Sequence, residues 1–261
     1  MPTDSPIPLF DAMPIRLDWR LTLTDAPALE PSSSEEGAPD GVHLMVADIS
    51  PLLNDRSLQA EALQAISSHR RAKAEACSNP RNRALSIGVA LLLDRLLAEY
   101  GLHESEMTYA EGEHGKPSFA NHPELLFNLS HSGSLVAAAL LRNASESSIL
   151  LGIDLQRVTR YRPEIVRRMF SATDRALLAS ATDEAERERL FAQCWSRAEA
   201  YAKATGTGLQ WPFAELPTEA RLKEFCLENE DASSGLRQQG SAYRGCICLL
   251  QHKSDGIIKN N

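Results

Sequence analysis

The chain has 261 residues, 43% of them hydrophobic, with a formal charge of −8, which gives enough length and apolar content for one large core or two compact lobes and excludes disorder throughout. The acidic balance excludes general nucleic-acid binding, because a polyanion needs a basic field to meet its phosphates. No apolar run approaches the roughly 20 residues that cross a bilayer, and the first residues, with Asp4, Asp11 and scattered prolines, lack a basic-then-apolar export signal, so the expectation is a cytoplasmic protein away from the membrane.

Residues 1–40 read as an N-terminal extension. Its stretch 27–40 is rich in Pro, Ser, Gly and Glu, a composition that cannot bury enough apolar surface to offset the entropy of ordering, and predicts disorder. The apolar run 42–49 predicts a strand. Asn54 or Asp55 can then cap a helix reaching about residue 77, which Pro80 ends. From 81 to 100, Leu85, Val89, Leu92 and Leu96 recur at helical spacing, Leu93 and Leu97 widen the stripe, and Gly101 caps it. Short strands at 125–129 and 135–141 flank a Ser-His-Ser-Gly turn, and 143–148 is a polar connector.

The second half opens with a strand at 149–155. A helix from about Ser171 follows, then a longer one from about Asp183 to Thr205 stopped by Gly206, and late strands close the chain. The five cysteines are odd in number and lack paired metal-site spacing, which fits reduced thiols; Cys246 and Cys248 alternate in an apolar run as strand packing. Both halves run strand, short helix, longer helix ending near a Gly-Leu pair (Gly101-Leu102, Gly208-Leu209), then strands. This weak duplication predicts an α+β protein of two similar lobes, 41–148 and 149–261, with a ligand cleft between them.

Several segments carry groups able to do chemistry. Asp154 and Gln156 are two apart on a predicted strand and share a face, although polar residues at a strand end also serve simply to meet water. On the long helix Phe191, Cys194, Trp195, Ala198 and Ala202 form an apolar stripe, with Glu199 and Lys203 one turn apart along its edge; a surface salt bridge has the same spacing. Gly115-Lys116-Pro117 and the segment from Phe127 to Gly133, with Ser130 and His131, offer a cation, a hydroxyl, an imidazole and turn amides suited to phosphate. Arg70, Lys73 and Arg83 add positive charge upstream, as snorkelling surface residues also would. Ser171 and Asp174 make a helix-start capping pair.

Taken together and in order, the Gly-Lys-Pro turn, Phe-Asn-Leu-Ser-His-Ser-Gly, Gly-Ile-Asp-Leu-Gln at 152–156, Trp-Ser-Arg-Ala-Glu-Ala-Tyr-Ala-Lys at 195–203 and the following Gly-Thr-Gly-Leu resemble the surfactin-synthetase-activating type of 4′-phosphopantetheinyl transferase, over roughly residues 66–209. The resemblance implies two pseudo-symmetric α+β lobes in a monomer, with coenzyme A and magnesium between them. It implies transfer of the phosphopantetheine arm to a serine of an acyl or peptidyl carrier protein. By it Asp154 and Glu199 would be metal ligands, with Gln156 where many relatives place a second carboxylate. Lys116 and Lys203 would lie near the pyrophosphate, Ser130 and His131 would contact phosphate, and Arg70, Lys73 and Arg83 would hold the 3′-phosphate and adenine end. Glu199, Lys203 and Asp174 are the catalytic candidates.

Two departures stand out: neutral Gln156 removes a negative charge from the metal site, and Ala198 stands where a Lys commonly precedes the helix glutamate. Neighbouring Arg197 projects about 100° away around the helix and cannot simply substitute. The competing readings are a coenzyme A or carrier-binding module that has lost efficient transfer, and an unrelated hydrolase using Ser130 and His131, for which no Gly-x-Ser-x-Gly elbow is present.

Overall fold

The computed structural model describes residues 19–21, 41–112, 115–143, 149–208, 213, 215–227 and 242–251; the predicted disorder at 27–40 and most of the connector at 143–148 lie outside them. The first half contains β1 (Trp19–Leu21), β2 (Val42–Asp48), α1 (Ser50–Asn54), α2 (Arg56–Ala65), α3 (Ser68–Glu75), α4 (Pro80–Ala98), β3 (Tyr109–Glu111), β4 (Pro117–Phe119), β5 (Leu125–Ser132) and β6 (Leu135–Arg142). The second contains β7 (Ile149–Arg157), α5 (Pro163–Met169), α6 (Ala172–Ala179), α7 (Glu184–Thr205), β8 (Arg221–Leu227) and β9 (Tyr243–Gln251).

Local chemistry accounts for the differences from the predicted elements. The single helix expected up to residue 77 is three helices, because two side chains intercept amides that a continuous helix would use. Asp55 accepts from the amides of Ser57 and Leu58, and Ser67 accepts from the amide of Arg70. Pro80 starts α4 rather than ending the element before it: Asn79 caps the amides of Arg81 and Asn82, and proline is suited to the first helical position. At the far end Gly101, with φ +69°, closes α4 in a left-handed cap whose bonds run from Leu102 N to the Leu97 carbonyl and from Gly101 N to the Ala98 carbonyl. The Ser-His-Ser segment is strand, not turn. β5 runs on to Ser132, and the hairpin is closed by Gly133, φ +59°, and Ser134. Residues 19–21 of the extension add an antiparallel edge strand to β2, with Trp19 opposite Leu44. α7 begins at the Asp183 cap and stops at Gly206, φ +73°, where the sequence put it.

The first sheet has the order β1-β2-β6-β5 and the second β7-β9-β8. Leaving aside the edge strand β1, β2 pairs antiparallel with β6 and β6 with β5, as β7 pairs with β9 and β9 with β8, so the two sheets share one strand order. β6 is buried along Leu135–Leu141 because both its faces are covered. Val136, Ala138 and Leu140 pack with Ile87 and Leu93 of α4, whereas Leu135, Ala137 and Ala139 pack with Leu151, Ile153 and Leu155 of β7 and Ile247 of β9. The layers therefore run α4, first sheet, second sheet, α7.

Two contacts fix the second sheet. Its free edge, β7, lies along β5, where three side chains of matching period accept its amides. Asn128 Oδ1 takes Ile153 N at 2.9 Å, Ser130 Oγ takes Leu155 N at 3.0 Å, and Ser132 Oγ takes Arg157 N at 2.9 Å. On its outer face α7 rides directly on β7 at Gly152. A Cβ there would fall on the Ala200 carbonyl oxygen and 2.5 Å from Ala204 N. Ala200 and Ala204, one turn apart, pack with Cys246 and Cys248 under the same helix. Because backbone meets backbone at this point, Gly152→Ala is expected to push α7 off the sheet and cost about 3 kcal/mol, measured as a lower urea midpoint; an unchanged midpoint would show that the close approach is not needed.

Candidate functional site

Gly152, Asp154 and Gln156 share one face of β7, so the strand that lets α7 come close also presents an acid to it. Asp154 is 5% exposed. Its Oδ1 accepts from Lys203 Nζ at 2.6 Å and from Ser130 Oγ at 2.9 Å. Ser130 Oγ in turn accepts from Leu155 N and from Lys203 Nζ at 3.1 Å, so this buried hydroxyl spends its one donor and both acceptor positions. Asp154 Oδ2 is buried with no partner. Burial raises the Asp154 carboxyl above its ordinary range against the opposing pull of Lys203. Glu199, one helical turn before Lys203, is half-buried, and its pKa is raised first by that burial and then by the negative charge of Asp154.

Two carboxylates thus face one another with one ammonium. A buried carboxylate oxygen without a donor is costly to leave bare, and an all-oxygen set suits a hard divalent cation such as magnesium, which fills its remaining positions with water or ligand oxygens. Among the described residues no group of three or more His, Cys, Asp or Glu gathers into a metal cluster. Asp154 and Glu199 supply two acids, so an ion held between them would take its remaining positions from water or ligand oxygens. Gln156 is half-buried on the same strand face, with Nε2 donating to the Arg157 carbonyl at 3.1 Å. His131, exposed on β5, has its pKa lowered by partial burial and then by Lys203, so the imidazole stands beside the same ammonium.

Other predicted residues are placed elsewhere. Arg70 is 7% exposed in α3, with Nε donating to Tyr109 Oη at 3.0 Å and 3.5 Å from Glu104 Oε1, and with its guanidinium over the Tyr109 ring. Its Nη2 is buried without a partner. Lys73 is exposed on the same helix, and Arg83 reaches back to the Cys77 carbonyl at 3.2 Å while its Nε is buried and unpartnered. These cations border one corner made by α3 and the first turn of α4. The sequence reading missed His69 there, stacked on Tyr109 at 3.9 Å with Nε2 buried and unpartnered.

Lys116, expected near a pyrophosphate, gives its ammonium to two main-chain carbonyls, Leu151 at 2.9 Å and Ala204 at 2.7 Å. The reading also missed Asn128 as a seam residue, although the Asn-x-Ser-x-Ser alternation in an otherwise apolar strand signals a face that meets polar groups.

Asp174 does not join the Asp154 group. Ser171 Oγ accepts from Asp174 N and donates to Asp174 Oδ2, and Arg197 Nη2 lies 2.6 Å from Asp174 Oδ1. Arg197 also faces Glu224 at 3.6 Å, and Glu224 accepts from Gln193. Arg197 and Glu199 are two residues apart, about 200° around α7, so the helix holds this network on the side away from the Asp154 pair. Asp174 is thus a cap and a tie between α6, α7 and β8. Asp174→Ala is expected to lower stability by about 2 kcal/mol, with Asp174→Asn recovering the capping part of it. Urea unfolding measures both, and an unchanged midpoint for the alanine variant would refute the structural role.

Comparison with known proteins gives this geometry a context. The model of the 4′-phosphopantetheinyl transferase superfamily matches residues 150–257, which contain Asp154, Glu199 and Lys203. 4′-Phosphopantetheinyl transferase Sfp of Bacillus subtilis is 32% identical over 126 residues, 48% of this chain and 53% of that protein. 4′-Phosphopantetheinyl transferase psf-1 of Bacillus pumilus is 30% identical over 142 residues, 54% of this chain and 57% of that protein. The chain thus spans somewhat more than half the length of these relatives. 4′-Phosphopantetheinyl transferase HetI of Nostoc sp. is 31% identical over 176 residues, 65% of this chain and 70% of that protein. With the motif order, the α+β fold and a relative matched over most of its length in agreement, the chain belongs to the 4′-phosphopantetheinyl transferase superfamily.

Proposed function

We propose that this protein transfers the 4′-phosphopantetheine arm of coenzyme A to a serine of an acyl or peptidyl carrier protein, with magnesium held by Asp154 and Glu199, and releases 3′,5′-ADP. The observation that carries this reading is the buried, unpartnered Oδ2 of Asp154 opposite Glu199. The names of the relatives support it. On this reading 41–148 and 149–261 are the two lobes of a monomeric cytoplasmic enzyme, and no described helix is long and apolar enough to cross a membrane.

In the reaction, the carrier serine oxygen bonds to the phosphorus that bears the pantetheine arm, the bond from that phosphorus to the 3′,5′-ADP oxygen breaks, and the serine proton must leave. Glu199 is the group to take it, since a carboxylate whose pKa is raised by burial and by Asp154 is a better base than an exposed one. Lys203 stands ready to donate to phosphoryl oxygens while still oriented by Ser130. His131 lines the same approach, and Arg70, Lys73 and Arg83 form the basic corner for the 3′-phosphate and adenine end. Bound magnesium would neutralise charge on the pyrophosphate and the transferring phosphoryl group.

Mass spectrometry of apo-carrier proteins incubated with enzyme, magnesium and coenzyme A tests the assignment: one added phosphopantetheine per carrier is expected. Asp154→Asn and Glu199→Gln should each slow transfer by about a hundredfold or more with folding preserved. Coenzyme A binding without any transfer by the wild-type chain would favour the binding-module reading, whose basis is the neutral Gln156 and the missing lysine at Ala198.

The docking face for the carrier is the second part of the proposal. Arg157, Arg160, Arg162, Arg167 and Arg168 are all exposed, running from the end of β7 through the loop into α5. They begin three residues from Asp154 in a chain whose net charge is −8, so a basic face lies beside the site where an acidic carrier surface can be steered and oriented. Charge reversal at Arg160 and Arg162 is expected to raise the carrier KM about tenfold and flatten its salt dependence while the coenzyme A KM stays put. Unchanged carrier kinetics, or an equal loss of coenzyme A affinity, would overturn the docking assignment.

A further inference from the structure

Lys116 belongs to the first half of the chain, yet its ammonium reaches the second. It lies just before β4, in a turn shaped by Gly115, whose φ is +74°, and by Pro117, whose ring fixes the next φ. From there Nζ donates to the Leu151 carbonyl on β7 at 2.9 Å and to the Ala204 carbonyl in the last turn of α7 at 2.7 Å. Its methylenes lie along Gly206, 3.6 to 3.7 Å from where a Cβ of that residue would stand. None of the described ion pairs includes Lys116.

The last carbonyls of a helix have no partner within the helix, and a cation among them also meets the negative end of the helix dipole. Lys116 therefore does two things with one side chain: it closes the C-terminal end of α7 and ties that end to β7. Ala204 directly follows Lys203, whose own ammonium must sit on Asp154 and Ser130. A shift of the last turn of α7 would carry Lys203 with it.

We propose that Lys116 is a positioning residue, a clamp across the two halves that registers the last turn of α7 on β7 and so holds Lys203 on Asp154. It is a different role from the phosphate contact that resemblance implies for this lysine. The kinetic part of the proposal rests on the transferase reading, and the structural part does not. Burial lowers the Lys116 pKa to about 8, and the neutral amine still has two hydrogens for the two carbonyls, so the clamp survives loss of the charge.

Two measurements on the full chain decide it. Amide hydrogen exchange, read without substrate, should quicken about tenfold or more in the peptide spanning 200–208 of Lys116→Met, with residues 184–192 unchanged. In the transfer assay Lys116→Met should lower kcat about tenfold and leave the coenzyme A KM within about twofold. In a Lys203→Met background it should cost nothing further, because its effect passes through Lys203. Lys116→Arg, which keeps two donors, should restore part of the protection and part of kcat. Unaltered exchange at 200–208, or a raised coenzyme A KM that adds fully to the Lys203→Met defect, would overturn the clamp. Should Lys116→Met fail to fold, the shorter Lys116→Gln serves in the same exchange comparison. If the wild-type chain transfers nothing, the exchange result still decides the clamp, which separates its failure from failure of the transferase assignment.

Discussion

β7 is paired along one edge with β9, and its other edge, inside the protein, must find partners for every amide it carries. A further strand in register would have merged the two sheets into one. Instead β5 offers Asn128, Ser130 and Ser132, whose period of two matches that of the amides they accept. The seam is therefore made of side chains reaching main chain. The hydroxyl of Ser130 that closes one amide of β7 is for that reason within reach of Asp154 and Lys203. The seam between the two halves and the Asp154 site thus share Ser130, and Gly152 brings the third component, α7, close enough to take part.

The electrostatics follow from that closeness. Asp154, Glu199 and Lys203 leave a local charge of −1 in a place where burial already raises both carboxyls. Lys203 pairs with one oxygen of Asp154, leaving the other without a donor. An arrangement with an acid to spare and an unsatisfied oxygen is costly as a structural device, and on the proposed function a divalent cation would offset that cost. The half-buried network around Arg197 is the contrast on the same helix. Asp174 and Glu224 bracket one guanidinium, and although Arg197 Nε has no partner both acids find donors, so neither acid is left bare as Asp154 Oδ2 is.

The sequence makes α7 and its ends legible because Asp183 and Gly206 are strong local signals, and local signals need no partner to be read. It makes Asp154, Glu199 and Lys203 legible as a set through their motifs. The three short helices before α4 were not legible as three, because whether Ser67 caps or continues a helix depends on where the next segment packs. The segment of Ser130 reads as a turn because Ser beside Gly marks turns, and the amides that reward Ser130 and Ser132 in a strand belong to β7, over twenty residues later. Lys116 is the clearest case. A lysine in a Gly-Lys-Pro turn reads as a free cation, and nothing near it in sequence says that carbonyls 35 and 88 residues away will claim it.

The departure at position 198 can be weighed in the same physical terms. Ala198 is 8% exposed and packs in the aromatic cluster of Phe170, Phe191 and Phe213 with Trp195 at its margin. A lysine there would have to run its stem over those rings to bring its ammonium to water or to a phosphate. Arg197 cannot make up the difference, since Asp174 and Glu224 hold its guanidinium on the other side of the helix. Lys116 is likewise occupied by carbonyls. On the proposed function, positive charge toward the pyrophosphate must then come from α7 through Lys203, and whatever fixes Lys203 in place bears on catalysis more directly in this chain than it would where a neighbouring lysine shares the task.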